Sequence, residues 1–215
     1  MIENTPFLIG KIESHLSISQ AFDQLPNTNE IHISCLNWEA EFPYLPNCRV
    51  HIGWNVTGLF LQFTIQEQQT LATHTSLHGT VCEDSCVEFF VSFDNLQSFF
   101  NFEFNAVGSM HVAHRACDGS YKHTLSDADL GRITVQSSLP LRHTVNIHNS
   151  DWTLNAHLPA SLFNNPNWNK QEIWGNFYKC GNKLDVPHYV SWKAIEYEKP
   201  NFHLPQFFGK LVCQP

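Results

Sequence analysis

The stretch CVEFFVSFDNLQSFFNFEFN, residues 86–105, carries the strongest structural pattern in this sequence. On either side of DNLQS, large apolar side chains occupy every second position, and this alternation predicts β-strands over residues 86–93 and 99–108. The DNLQS segment is typical of a short loop, so the two strands are expected to pair as an antiparallel hairpin. The apolar faces are Val87, Phe89 and Val91 on the first strand and Phe100, Phe102 and Phe104 on the second.

The opposite face of this hairpin is polar. Glu88 lies on the first strand, and Asn101, Glu103 and Asn105 form a row on the second. Carboxylates accept hydrogen bonds and amides both donate and accept them, so together they match the vicinal hydroxyls of a sugar. A satisfied hydrogen-bond network inside a sandwich, holding Arg115 or backbone amides, is the other interpretation of these residues.

Glu88 and Glu103 also admit a catalytic interpretation. Cross-strand neighbours have Cβ atoms about 4.5–5.5 Å apart, and retaining glycosidases place their two carboxyls about 5–5.5 Å apart. A small glycoside hydrolase that uses this carboxylate pair on O-glycosyl bonds is therefore the alternative to a non-catalytic binding protein.

Short strand-like segments fill most of the chain beyond the hairpin. GLFLQFTIQEQ alternates in the manner of a half-buried strand, and Ser17 and Gln20 have the spacing of a capping box for a helix that Pro26 ends. Many short strands with Gly, Pro and Asn between them predict an all-β fold, namely an antiparallel β-sandwich with one short N-terminal helix, in a single domain over residues 1–215. The other predicted strands are 110–117, 132–138, 151–159, 172–180, 189–195 and 208–213.

The composition excludes several classes of function. The 215 residues include 12 basic and 20 acidic side chains, a formal net charge of −8, so the chain lacks the basic surface of a nucleic-acid binder. No apolar run approaches the roughly 18 residues that span a bilayer, so no membrane partner is expected. The N-terminal sequence has neither a basic region nor a long apolar region, which predicts a cytoplasmic protein.

Residues that bind metals lack a recognisable spacing. The seven cysteines include no CxxC pair, and the CxxxC of Cys82 and Cys86 has no second half elsewhere. His111 and His114 are three residues apart in a predicted strand and therefore face opposite sides. We expect no metal site and no catalytic residue, with cysteines that are reduced and mostly buried. A haem protein with Met110 and a histidine as axial ligands is a further hypothesis, and a purely structural interaction module is the last.

Aromatic residues supply a second group of candidates. The segment WGNFYKCGNKLDVPHYVSW, residues 174–192, mixes Trp and Tyr with Asn, Lys and His. A flat ring suits the C–H face of a pyranose, while its polar edge stays in water. The candidates for this role are Trp174, Tyr178, Tyr189 and Trp192, for which core packing is the other interpretation. Trp54 and Trp152 lie in strand-like segments and are expected in the core.

Three blocks of sequence carry a resemblance to a known family. They are EDSCVEFFVSFD (83–94), FFNFEFNAVGS (99–109) and HYVSWKAIEYEKPNFHLPQFFGKL (188–211). With these blocks the chain resembles the carbohydrate-binding module family 9-like domains, in particular their short bacterial stand-alone members. The blocks and the order of strands between them cover most of residues 30–213.

The resemblance implies a β-sandwich that binds glucan or xylan fragments by stacking tryptophans and by acidic, Asn and Arg side chains, in carbohydrate catabolism. The positions that match the family's binding residues are Glu83, Asp84, Arg115 and Asn176. The family's aromatic residue ahead of the D-S-V-E run is not Trp here, and His78 is the nearest substitute. Calcium, which supports the fold in relatives, is the one cofactor that the resemblance implies. The expected partner is a carbohydrate.

Overall fold

The fold is a β-sandwich whose two sheets are joined by a single strand. The computed structural model describes residues 5–164 and 166–215. The strands are β1 (Phe7–Lys11), β2 (Glu30–His32), β3 (Cys35–Leu36), β4 (Asn47–Asn55), β5 (Gly58–Ala72), β6 (Cys86–Ser92), β7 (Ser98–Asn105), β8 (Met110–Ala116), β9 (Lys122–Thr124), β10 (Thr134–Ser137), β11 (Val145–Pro159), β12 (Glu172–Gly181), β13 (His188–Ser191) and β14 (Gly209–Cys213). The α-helices are α1 (Ile18–Gln24) and α2 (Asp127–Leu130).

The two sheets differ in size and in what they cover. The front sheet has the order β14-β12-β6-β7-β8-β9, with β13 beside β12 and β3 beside β13. The back sheet has the order β10-β11-β5-β4, with β2 beside β4. Strand β1 connects them, because Phe7–Ile9 pairs with β14 and Gly10–Lys11 pairs with β4.

The predicted β-sandwich is confirmed, with one correction. The hairpin of β6 and β7 is antiparallel and places Phe89 opposite Phe102. Strand β1, by contrast, is parallel to both of its neighbours, so the sandwich is not wholly antiparallel. The short apolar stretch of β1 did not predict a strand, because its pairing depends on residues 209–213 at the other end of the sequence.

The predicted N-terminal helix is confirmed together with its cap. The Gln20 backbone N–H donates to Ser17 Oγ at 3.4 Å, and the Ser17 N–H donates to Gln20 Oε1 at 3.0 Å. Phe22 of this helix packs edge-on against Phe60 of the back sheet, with ring centroids 5.8 Å apart. Helix α1 therefore covers the outer side of β5.

The main core lies between the two sheets. Phe89 and Phe177 of the front sheet stack with centroids 4.5 Å apart, and Phe63 of the back sheet meets Phe177 at 6.3 Å. Trp54 and Trp152 are 3% and 1% exposed, which confirms that both belong to the core. Full burial of a phenylalanine side chain contributes about 1.5–3 kcal/mol, so each of these stacked rings stabilises the contact between the sheets.

A fully buried ion pair connects the two sheets within this core. Lys179 Nζ of β12 lies 2.8 Å from Glu67 Oε2 of β5, and neither side chain is exposed. The Lys179 ammonium also donates to His188 Nε2 at 2.8 Å and to the Cys180 carbonyl at 2.9 Å. Glu67 Oε1 accepts from the Trp152 indole N–H at 2.7 Å. The ammonium therefore has two hydrogen-bond acceptors and a carboxylate as its counter-charge, as a buried charge requires.

His188 makes the stability of this cluster depend on pH. Burial and the adjacent Lys179 charge lower the pKa of His188 from 6.5 to about 2. The unfolded chain therefore takes up a proton below pH 6.5 that the folded chain does not bind, and stability falls as the pH falls. We expect the melting temperature of the wild type to fall more steeply from pH 6.5 to about 4 than that of His188→Gln, whose side-chain oxygen still accepts from Lys179. An exposed-site control, His123→Gln, should follow the wild type. Parallel curves for wild type and His188→Gln would contradict this prediction.

The cysteines form no disulfide bond in the described residues, and most of them are buried. All seven cysteines lie in the described residues and are unpaired, and Cys48, Cys86, Cys180 and Cys213 are buried.

In residues 5–164 and 166–215, no helix combines the length and the hydrophobicity that crossing a membrane requires.

The outer face of the front sheet is only partly covered. A second apolar cluster lies on it, in which Phe90 and Phe99 of the sheet meet Phe202 and Phe208 of the C-terminal segment. Tyr178 stacks on Phe202 with ring centroids 4.2 Å apart. The C-terminal segment thus covers one half of this face, and the polar half beside Glu88 lines an open cleft.

Candidate functional site

The cleft on the outer face of the front sheet has a volume of about 410 Å³. Its floor consists of strand residues whose side chains point away from the core, and its walls consist of residues 78–80, 82, 182, 189 and 200–203. The floor residues are Glu88, Glu103, His111, Arg115, Lys122 and Cys180. The size is that of a small-ligand site, which typically occupies about 300–1,000 Å³.

A chain of hydrogen bonds fixes two of the floor residues. Arg115 Nε donates to Asn101 Oδ1 at 2.9 Å, and Asn101 Nδ2 donates to Glu103 Oε1 at 2.7 Å. Among the described residues, none accepts from the Arg115 Nη atoms and none donates to Glu103 Oε2. The cleft therefore presents a fixed set of donors next to a fixed acceptor.

Burial shifts the pKa values of two floor residues, Glu103 and His111. It raises the pKa of Glu103 from 4.5 to about 7, although Asn101, Arg115 and Lys122 favour the ionised form. Burial also lowers the pKa of His111 to about 4, with help from the Lys122 and Arg115 charges. His111 is consequently neutral at pH 7 and can both donate and accept a hydrogen bond.

Glu88 is directly opposite Glu103 on the paired strands, and it lies deeper. Its Oε1 accepts from Cys180 Sγ at 3.2 Å and contacts Cys86 Sγ at 3.9 Å. Burial raises the pKa of Glu88 well above its ordinary value. The sequence pattern therefore identified a real cross-strand pair of carboxyl groups, of which Glu88 is only 3% exposed.

Aromatic and polar side chains form the walls. Phe202 and Tyr189 both line the cleft, with ring centroids 6.3 Å apart. His78 lies in the loop before β6, where its Nε2 is 2.7 Å from Asp127 Oδ1. The walls therefore combine ring faces with groups that form hydrogen bonds.

The structure brings together only some of the predicted binding residues. His78, Glu88, Glu103 and Arg115 line the cleft. Asn101 lies beneath it and links Arg115 to Glu103. The predicted residues outside the cleft are Glu83, Asp84, Asn105, Asn176, Tyr178 and Trp192.

Glu83 and Asp84 are occupied by contacts within the protein. The two oxygens of Asp84 accept from the Thr73 and His74 backbone N–H groups at 2.9 and 3.0 Å, and one also accepts from Asn105 Nδ2 at 2.8 Å. Glu83 is paired with Lys183 Nζ at 2.9 Å and with His74 Nε2 at 3.0 Å. Carboxylates that neighbouring cations and N–H groups already neutralise do not fit a calcium ion, which needs six to eight oxygen ligands.

Asn176 and Tyr178 hold the C-terminal segment in place. Asn176 Oδ1 accepts from the Lys193 N–H at 2.9 Å, and its Nδ2 donates to the Lys193 carbonyl at 3.1 Å. The Tyr178 hydroxyl donates to the Phe202 carbonyl at 3.2 Å. Neither side chain is exposed, so both act on the cleft through the wall that they support.

Trp192 packs against the core rather than lining the cleft. Its ring meets Phe7 and Phe177 at centroid distances of 6.0 and 5.9 Å, and Lys193 Nζ lies 4.2 Å above it. Trp174 is half-buried against the second apolar cluster. Met110, the haem-ligand candidate, is 3% exposed in the main core, whereas the adjacent His111 faces the cleft.

Tyr189, one of the candidate stacking rings, lines the cleft, because alternation along β13 turns it away from the core face that Val190 occupies. Several other cleft residues were not among the predicted site residues. Phe202 and His203 belong to the resembling C-terminal block, which the sequence alone does not place in space. The other unpredicted lining residues are Gly79, Thr80, Cys82, His111, Lys122, Cys180, Asn182, Pro200 and Asn201.

Comparisons with known proteins agree on one family. The family model described as "Carbohydrate-binding family 9" matches residues 18–213. A candidate carbohydrate-binding protein from Bacteroides uniformis ATCC 8492 has a similar structure, with 28% identity, a TM-score of 0.89, and coverage of 98% of this chain and 99% of that chain. No curated protein gives a significant match.

Two more distant structures share the fold. A family 9 carbohydrate-binding module from Caldicellulosiruptor kristjanssonii, solved with cellotriose, has 13% identity and a TM-score of 0.62, and covers 98% of this chain and 94% of its own. A structure of such a module from the same organism with glucose has 13% identity and a TM-score of 0.58, and covers 98% and 96%.

Proposed function

Since the chain belongs to carbohydrate-binding family 9 and is a non-catalytic carbohydrate-binding module, we propose that its ligand occupies the cleft on the outer face of the front sheet. The ligand is a neutral pyranose or the end of a short oligosaccharide. The side chains that bind it are Arg115, Glu103 and His111 on the floor and Tyr189, Phe202 and His78 on the walls.

The arrangement of Arg115 and Glu103 carries this proposal. Asn101 holds both side chains by hydrogen bonds, which leaves the Arg115 Nη atoms as donors and Glu103 Oε2 as an acceptor. Two adjacent hydroxyls of a sugar can accept from the guanidinium and donate to an oxygen of the Glu103 carboxyl group at the same time. Because both groups are already fixed in the free protein, little ordering entropy is lost on binding.

The walls supply the apolar part of sugar recognition. Phe202 and Tyr189 offer ring surface to the C–H groups of a pyranose, in place of the tryptophan pair expected from the family resemblance. The ligands in the Caldicellulosiruptor kristjanssonii module structures, cellotriose and glucose, make β-glucans the first class of sugar to test.

A reducing compartment suits this protein. All seven cysteines are unpaired, and Cys82 and Cys180 line the cleft, where oxidation would alter its floor. We therefore propose that the protein works in the cytoplasm, on sugars that enter catabolism.

Calorimetric titration with glucose, cellotriose and xylo-oligosaccharides tests the function. We expect at least one of these sugars to bind with a dissociation constant of about 1 mM or tighter, and no sugar to be hydrolysed. Absence of binding across a broad glycan panel would contradict the proposal. Turnover of an aryl glycoside that is lost in Glu103→Gln would instead favour the hydrolase hypothesis.

A further inference from the structure

A cluster of two thiols and one carboxyl group lies at the floor of the cleft, where Glu88 and Cys180 line the cleft and Cys86 is buried beneath it. From its geometry we propose that Cys86, Glu88 and Cys180 bind a thiophilic divalent cation of the zinc type. Their three donor atoms, two Sγ and one carboxylate oxygen, lie within 4.8 Å of one another. This proposal does not depend on sugar binding.

The pairing of two strands creates this cluster. Cys180 of β12 is directly opposite Cys86 of β6, so both thiols rise from the same face of the front sheet. Glu88 follows two residues after Cys86 and therefore shares that face. Paired β-strands hold these donor atoms at a fixed spacing, so a cation can bind them without the ordering of a loop.

The distances fit tetrahedral coordination. With Zn–S bonds of about 2.3 Å and Zn–O bonds of about 2.0 Å, tetrahedral angles place sulfur and oxygen about 3.5 Å apart. Glu88 Oε1 lies 3.2 Å from Cys180 Sγ and 3.9 Å from Cys86 Sγ. These values lie on either side of the ideal separation, and rotation of the Glu88 carboxyl group can make them equal.

The ligand types and their burial favour one class of metal. Two thiolates select zinc-type ions over calcium or magnesium, which prefer oxygen ligands. Cys86, Glu88 and Cys180 are 0%, 3% and 1% exposed, so little water competes for these donors.

The fourth coordination position is open on the cleft side. Glu88 and Cys180 line the cleft, and the half-buried Cys82 borders it beside them. Three protein ligands with one open position form the arrangement in which zinc binds water or another small ligand. A bound cation would thus lie within reach of whatever occupies the cleft.

Titration of the reduced full-length chain with Zn²⁺, in the absence of any sugar, tests the site. We expect one equivalent of Zn²⁺ to bind by calorimetry, and Co²⁺ to give an absorption band from sulfur-to-cobalt charge transfer. Cys86→Ala and Cys180→Ala should each lose about 100-fold or more in affinity, because loss of a direct ligand exceeds the 10- to 100-fold effect of losing its supporting partners. The matched control Cys117→Ser, whose half-buried thiol lies outside the cluster, should bind Zn²⁺ as the wild type does.

Two results would overturn the proposal. One is a wild type that binds no stoichiometric Zn²⁺, and the other is unchanged affinity in both alanine variants. The sulfur-to-cobalt charge-transfer band of the Co²⁺-loaded wild type provides a measurement that does not require the variants to fold. Because no sugar is present, failure of sugar binding would leave these results unaffected.

Discussion

Replacement of Lys179 with methionine is expected to lower the free energy of unfolding by about 3–5 kcal/mol. The ammonium of Lys179 is the partner of Glu67 Oε2 at 2.8 Å, and both side chains are fully buried. Methionine fills most of the space but leaves the Glu67 carboxylate without its counter-charge, next to the Trp152 indole and the Thr70 hydroxyl. His188 Nε2 loses its hydrogen-bond donor in the same variant.

Urea unfolding of single and double variants measures this effect. In Lys179→Met/Glu67→Gln the buried charge is gone, and the amide oxygen of the introduced glutamine can still accept from Trp152, so most of the lost stability should return. A single variant that loses less than about 1 kcal/mol would contradict the prediction. So would a double variant that is no more stable than Lys179→Met.

Replacement of Arg115 with methionine is expected to weaken sugar binding by about 10- to 100-fold. A hydrogen bond to a charged group contributes about 1.5–3 kcal/mol, and each 1.4 kcal/mol is a tenfold change in affinity. Arg115 is half-buried, and its Nε has only one hydrogen-bond partner in the described residues, Asn101 Oδ1 at 2.9 Å. The fold should therefore tolerate methionine, and calorimetry with the best sugar from the panel measures the loss.

Arg132→Met provides the matched control for this prediction. Arg132 is exposed and pairs with Asp129 at 3.1 Å outside the cleft, so its loss should leave sugar affinity unchanged. Equal affinity of wild type and Arg115→Met would show that the ligand binds elsewhere. Trp192→Ala is a poor test of the site, because removal of a ring packed against Phe7 and Phe177 would lower stability before it altered binding.

The sequence predicted the floor of the cleft better than its walls. Alternation in residues 86–105 depends only on neighbours along the chain, so the shared face of Glu88 and Glu103 could be predicted before their register was known. The loop at residues 78–82 and the segment at residues 200–203 reach the cleft through contacts between distant parts of the chain. Such contacts depend on the whole sheet order and leave no local pattern.

The alternation of side chains along a strand could have separated the aromatic candidates into core and cleft residues. In YVSW, residues 189–192, alternation separates Tyr189 from Trp192, since Val190 and Trp192 face the main core together. The aromatic composition of the segment made both rings candidates for stacking on a sugar. Glu83 and Asp84 present the opposite case, because only the folded structure reveals that Lys183, His74 and backbone N–H groups already occupy these carboxylates.

Strand β1 has a consequence for how the protein forms during synthesis. Phe7–Ile9 leaves the ribosome long before Leu211–Cys213, the segment of β14 with which it pairs. Until then the Phe7–Ile9 half of β1 has no partner from β14, and unpaired strand edges promote aggregation. Such a high contact order predicts slow folding, with closure of the two sheets as a late step. A chaperone that shields these edges would therefore raise the yield of folded protein more than one that acts on the β6–β7 hairpin, whose strands emerge together.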